Sequence, residues 1–285
     1  MEKNFETTGP INLKVELLAG DVRITAVDAA STSVRLIPNG RRGEELMTGF
    51  TIEARGNDVV VLAPKGREGF FGMGAHGSVD VEITLHTDSA VDARTGSGDV
   101  TAVGILGDVS SATGSGDITV QELDSGDLKS GSGDLTVRSV RTGLSAKTGS
   151  GDIVVDSAHG ALDLVSGSGD IVVRRAQSRV KAKTGSGDVT IAASAGDLDV
   201  LTGTGDVDLG AVHGGEVRAK TGTGDIEIGV AVGVVALLDL NTVTGDVDVD
   251  LDETDGPAHA EAQTRLAAHS GSGDVHVKRA QVKMS

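Results

Sequence analysis

Thr148-Gly149-Ser150-Gly151-Asp152-Ile153 is one of a long series of near-copies. Its Asp recurs at Asp99, Asp117, Asp134, Asp152, Asp170, Asp188, Asp206, Asp225, Asp246 and Asp274, in steps of 18, 17, 18, 18, 18, 18, 19, 21 and 28 residues. A period near twenty residues, held this long, is the mark of a chain wound into stacked coils.

Aligned on the Asp, the copies share an apolar pattern. One and three places after it stand Ile153 and Val155, Ile171 and Val173, Val189 and Ile191, and their equivalents. Eight, six and four places before it stand Leu144, Ala146 and Thr148, then Leu162, Leu164 and Ser166, and so on. In the 17-residue coil one position is missing, which leaves Leu128 and Ser130. A two-residue period puts each set on one face of a strand. Each coil is therefore predicted to hold two short strands, each stacked in parallel on its equivalent in the next coil. The absence of a six-residue sub-period favours two facing sheets over a three-sided helix. The prediction is an all-β fold: a parallel β-solenoid (β-helix) of about ten 17–19-residue two-strand coils over residues 91–285. At roughly 4.8 Å per layer it would be on the order of 45–50 Å long.

The Gly-Ser-Gly or Gly-Thr-Gly corner lets the chain reverse between sheets in few residues. Ser150, Ser168, Ser186, Thr204 and Thr223 are expected to hydrogen-bond along their column. Stacked Asp residues repel by roughly 0.9 kcal/mol per neighbouring pair in water. Backbone N–H groups, metal, or the basic residues five places upstream (Arg94, Lys129, Lys147, Lys183, Lys220) must offset this. The acidic excess peaks in three coils that are consecutive in sequence, where Asp208, Glu227 and Asp248 stand two places after the repeat Asp. With Asp206, Asp225, Asp246 and nearby Asp250 they would form one carboxylate patch, a candidate for Ca²⁺. No other cofactor is expected.

Residues 1–90 lack the repeat and read as a β-rich N-terminal cap. Alternating runs occur at Ile11–Leu17, Val22–Ile24, Val34–Leu36, Phe50–Ile52, Val59–Val61 and Val79–Leu85, with no convincing amphipathic helix. Such a cap would cover a sheet edge that otherwise invites aggregation. Between Gly66 and Gly77 lies a Gly-rich loop whose Phe70, Phe71 and Met73 are candidates for contact with a partner.

Thr95-Gly96-Ser97-Gly98-Asp99-Val100 with its copies, and the leader ending in Val81-Glu82-Ile83-Thr84-Leu85, resemble the bacterial putative-adhesin family of β-strand-repeat proteins. That family is of unknown function and is common in actinobacteria. The resemblance covers nearly the whole chain. It implies a β-solenoid without known enzyme activity, and some relatives are linked to cell-envelope stress.

Composition narrows the function. The net charge of −17 and the lack of a basic stripe with aromatic partners exclude nucleic-acid binding. With no Cys there is neither disulfide nor thiolate metal site. The longest apolar stretch, Val230–Leu240, is broken by Gly233 and Asp239, which argues against a transmembrane segment. Met1-Glu2-Lys3-Asn4-Phe5 does not open a secretory signal, so a cytoplasmic protein is expected. None of the seven His shows metal-ligand spacing, and no Trp or Tyr is present to stack sugars. The reading is a non-catalytic interaction or scaffold module with an unknown protein partner. The alternatives are a self-assembling, end-to-end homo-oligomer or a Ca²⁺-dependent adhesin-like rod. A carbohydrate-active β-helix enzyme stands further off.

Overall fold

Alternating inward and outward residues fold into layers in which one coil lies on the next. The computed structural model describes residues 1–64, 77–251 and 262–280. The fold is all-β and solenoid-like, built in two units, Met1–Val137 and Arg138–Ser285.

In the first unit the founding layer is β2 (Asn12–Glu16) with β3 (Val22–Val27), joined by a turn at Gly20-Asp21. This layer already has repeat character. β2 stacks in parallel on β8 (Ala90–Thr95), and β3 on β9 (Val100–Thr113), which pairs in turn with β10 (Ile118–Ser130). On its other side β2 pairs in parallel with β6 (Asp58–Leu62), and β3 with β7 (Ser78–His86). There the pairing changes direction. β5 (Thr51–Arg55) lies antiparallel on β6, β4 (Ser31–Asn39) antiparallel on β7, and β1 (Glu2–Glu6) antiparallel on β4. The six alternating runs seen in the sequence are β2 to β7; β1 is additional.

One helix, α1 (Gly40–Met47), corrects the expectation of none in this segment. Its two glycines, Gly40 and Gly43, lower helix propensity and mask the signal. Gly43 is buried, and a Cβ there would meet the Ser78 carbonyl oxygen at 2.6 Å, so close packing on the start of β7 requires glycine.

The boundary between the units falls within β11 (Leu135–Thr148). In the second unit, strands preceding the repeat Asp form one stack: the end of β11, β13 (Ala161–Ser166), β15 (Val180–Ser186), β17 (Leu198–Thr204) and β19 (Gly215–Thr223). Strands following it form the other: β12 (Ile153–Ala158), β14 (Ile171–Ala176), β16 (Val189–Ser194), β18 (Val207–Val212) and β20 (Ile226–Val230). Register is residue for residue, Ile153 to Ile171 to Val189 to Val207. The inward residues are sealed: Ile171, Val173, Val180, Ala182 and Val189 are wholly buried. Each buried Val or Ile contributes about 1.5–3 kcal/mol.

The last coils do not stack in sequence order. β21 (Val234–Thr244) and β22 (Val247–Asp250) form the outer layer, and β23 (Ala262–Ser272) with β24 (Val275–Arg279) is inserted beneath them. β23 pairs with β19 on one side and β21 on the other; β24 lies likewise between β20 and β22. The 21-residue step to Asp246 supplies the reach, since three residues beyond the usual 18 easily span one further layer of about 4.8 Å.

Candidate functional site

Two hydrogen-bonded columns build the corners. In the first, buried Thr and Ser residues four places before the Asp donate to a Gly carbonyl of the preceding layer. Thr184 Oγ1 to Gly169 O and Thr202 Oγ1 to Gly187 O are both 2.9 Å. These hydroxyls link the layers; Ser150, Ser168, Ser186, Thr204 and Thr223, expected to do so, are exposed. In the second, running within each unit, Asp carboxylates accept the backbone N–H of the repeat Asp one layer on. Asp170 N to Asp152 Oδ1, Asp188 N to Asp170 Oδ1 and Asp206 N to Asp188 Oδ1 are all 2.8 Å. In the first unit the column reaches back through Asp21 to Asp80, which also accepts from Asn39. Charge-assisted bonds of this kind are worth about 1.5–3 kcal/mol, more than the repulsion they oppose. Two of the upstream cations act elsewhere: Arg94 bonds Asp92, and Lys129 bonds Asp127.

The Asp column of the second unit ends in the order Asp206, Asp225, Asp274, Asp246. The acidic residues singled out by sequence are thereby divided. Asp208 stands opposite Glu227, but β24 places His276 between Glu227 and Asp248. Lys278 lies opposite Asp250 and reaches the Glu227 carboxylate at 2.5 Å. The expected single patch thus becomes two groups separated by a basic strand, because the coils of Asp225 and Asp246 are not neighbours. Partial burial, and then the charge of Glu227, push the Asp208 carboxyl above its ordinary range, while Lys278 pulls it back. Among the described residues no group of three or more His, Asp or Glu is arranged to hold a metal ion.

The outer layer differs from every layer beneath it. Leu238 and Leu240 are only half-buried, and Val247 and Val249 are 45% and 43% exposed. One layer in, Leu266, Ala268, Val275 and Val277 are wholly buried. Arg279 fixes the crossover into this layer by donating to the carbonyl oxygens of Ala231 (3.3 Å) and Val234 (2.9 Å). Nothing in the repeat pattern marks this arginine; the signal was the departure of the last steps, 21 and 28, from 18.

A second surface lies in the first unit, a groove of about 740 Å³ lined by Leu18, Ala19, Arg42, Leu46, Pro64 and Gly77 among others. Phe70, Phe71 and Met73 lie outside the described residues.

Stacked parallel layers with hydrogen-bonded Gly–Asp corners define a solenoid-like β-repeat protein. The chain belongs to the Toastrack DUF4097 family, whose model matches residues 11–199 and 178–285. No curated protein matches it. Among solved structures it is similar to a putative adhesin from Bacteroides fragilis, with 15% identity, 97% of this chain and 96% of that one covered, and a TM-score of 0.42. It is similar also to a putative lipid binding protein from Parabacteroides distasonis, with 13% identity, 97% and 96% covered, and a TM-score of 0.40. A putative cell adhesion protein from Clostridium sporogenes shares 11% identity over 98% and 99%, with a TM-score of 0.23. These likenesses carry no argument about function. No helix among the described residues is long and apolar enough to cross a membrane.

Proposed function

We propose that this protein is a non-catalytic interaction scaffold: about ten coils of 17–19 residues that present the outer layer β21–β22 to a protein partner. The carrying observation is the contrast between Leu238, Leu240, Val247 and Val249, partly open to solvent, and the sealed equivalents one layer beneath. An apolar shelf beside a strand edge that has no partner among the described residues is a surface for strand addition. A setting in the response to cell-envelope stress is part of the proposal and rests on family membership. The Phe70, Phe71 and Met73 loop is a second contact candidate, on its sequence alone.

Differential affinity capture from the native host tests this with three full-length baits: wild type, Leu240→Lys, and Phe70→Ala/Phe71→Ala. The expected result is a partner held by wild type and by the Phe variant but lost with Leu240→Lys. Loss with the Phe variant alone moves the contact to the loop. Identical captures from all three overturn both. The self-assembling rod would show a mass that rises with protein concentration. The Ca²⁺-dependent rod would show a melting temperature raised by Ca²⁺ and lowered by chelator.

A further inference from the structure

We propose that the outer layer receives a basic, extended strand-turn-strand segment of a partner protein, which adds to β21 and β22 as the next layer. This rests on the reading that β21–β22 is the contact surface, and adds the chemistry of what it contacts.

The backbone supplies the first argument. β21 is 11 residues long and β22 follows it, and among the described residues each pairs on one side only, with β23 and β24. An added strand would gain a full ladder of backbone hydrogen bonds while its small apolar residues sealed Leu238, Leu240, Val247 and Val249. The side-chain columns supply the second. Seven places before the repeat Asp, the outward residues of successive layers alternate in sign: Asp163, Lys181, Asp199, Arg218. Opposite charges facing across neighbouring strands contribute roughly 0.2–1 kcal/mol each. The column then passes through Ala267 and ends on Asp239. That acid has an alanine beneath it and, among the described residues, no layer above; the next member of the series is a cation.

The layer as a whole repeats the point. From Val234 to Leu251 it carries Asp239, Asp246, Asp248 and Asp250 and no Lys, Arg or His. Two identical ends meeting would bring these four carboxylates against the same four, so the edge is built against its own copy. A partner strand must instead be cationic outside and small and apolar inside. Residues 179–194 of this chain have that form, with Val180, Ala182, Val189 and Ile191 buried and Lys181 and Lys183 on the outer face.

The test uses a fluorescein-labelled synthetic peptide of residues 179–194 and its Lys181→Glu/Lys183→Glu form, titrated with the full-length protein by fluorescence anisotropy. The basic peptide is expected to bind at least about tenfold tighter than the acidic one. Raising NaCl from about 0.05 to about 0.5 M should narrow that gap. The protein variant Asp239→Lys/Asp248→Lys, altered only at exposed positions, should reverse the preference. Absence of binding by the basic peptide, or equal binding of both, overturns the proposal. If both bind equally and Leu240→Lys abolishes both, the surface stands and only its charge assignment falls. If Leu240→Lys changes neither the peptide titrations nor the captured partner, the surface reading falls as well. A wild-type dimer in sedimentation velocity that Leu240→Lys dissociates would put a second copy on the edge, which also overturns it.

Discussion

At the repeat Asp, one carboxylate has two duties that can be separated by substitution. Asp170 donates its N–H to Asp152 and accepts the N–H of Asp188. Asp170→Asn keeps an Oδ1 acceptor and relieves like-charge repulsion, so its urea midpoint at pH 7 should match or exceed that of wild type. Asp170→Ala strands the Asp188 N–H and should cost about 1–2 kcal/mol. Equal losses from both would show that charge, and not acceptance, makes the ladder. Gly169 gives a sharper constraint: a Cβ there would collide with the carbonyl of Gly151, whereas one on Gly9 meets nothing within 4 Å. Gly169→Ala should therefore destabilise by about 2–3 kcal/mol, and Gly9→Ala should not. Asp208 supplies the pH dependence. Its folded pKa is raised above the ordinary 3.8, by burial first and Glu227 second. The native state therefore holds this proton more tightly than the unfolded chain, and ionising it weakens the fold. Asp208→Asn should be more stable than wild type at pH 7. The difference should shrink as pH falls through the raised value and vanish below 3.8. An advantage that instead grew toward low pH would contradict the sign.

Among the elements, the inserted coil β23–β24 is paired through its backbone on both sides and adds one side chain at the crossover above it. The Arg279 guanidinium spans the carbonyls of Ala231 and Val234 at the crossover, where the Val234 N–H also returns to Ala231 O at 3.2 Å. Arg279→Ala should speed hydrogen exchange at the Val234 amide and in β21 while leaving β14–β16 unchanged. Arg279→Lys should restore little, because a single ammonium does not reproduce the planar fork. An unaltered exchange pattern would show that backbone pairing alone holds the crossover. This coil also marks how far the sequence could be read. Inward positions such as Ile171, Val189 and Leu128 were legible because burial on a two-residue period leaves a direct trace in composition. The corner was legible because glycine answers a backbone demand. Stacking order was not, since β21 and β23 carry the same inward pattern, and it is β23 that lies on β19 with β21 beyond it. That one ambiguity split the acidic patch: Asp206, Asp208, Asp225 and Glu227 stay together, while Asp246, Asp248 and Asp250 follow them in sequence but lie one layer further off in space. Asp21 carries no repeat signature for another reason: its layer has Leu18-Ala19-Gly20 where the repeat has Gly-Ser-Gly, so the ladder starts before the motif does.

For the whole molecule, stability follows from the range of its contacts. Each layer touches only the layers on either side, so its free energy is nearly a sum of nearest-neighbour terms. A layer with one neighbour has about half the interface of a layer with two. Within the Arg138–Ser285 unit, β21–β22 has one neighbour among the described residues and an incompletely buried inner face, while β16 is sandwiched between β14 and β18. Opening should therefore start at β22 and run inward, and it should do so below the global transition. Native-state hydrogen exchange should show protection rising from β22 through β24 to β18 and β16. Leu266→Ala, a wholly buried truncation in the inserted layer, should cost about 2–5 kcal/mol. Because that coil supports the outer one, the variant should lower protection in β21–β22 much more than in β14. Uniform protection, with Leu266→Ala lowering every strand alike, would mean that the unit unfolds as a single cooperative body. The outer layer could then not be remodelled by a partner without unfolding the rest. A gradient means the opposite: binding at the edge is felt first in the layers beside it, and the layers beneath stay in place as the rigid support that a scaffold requires.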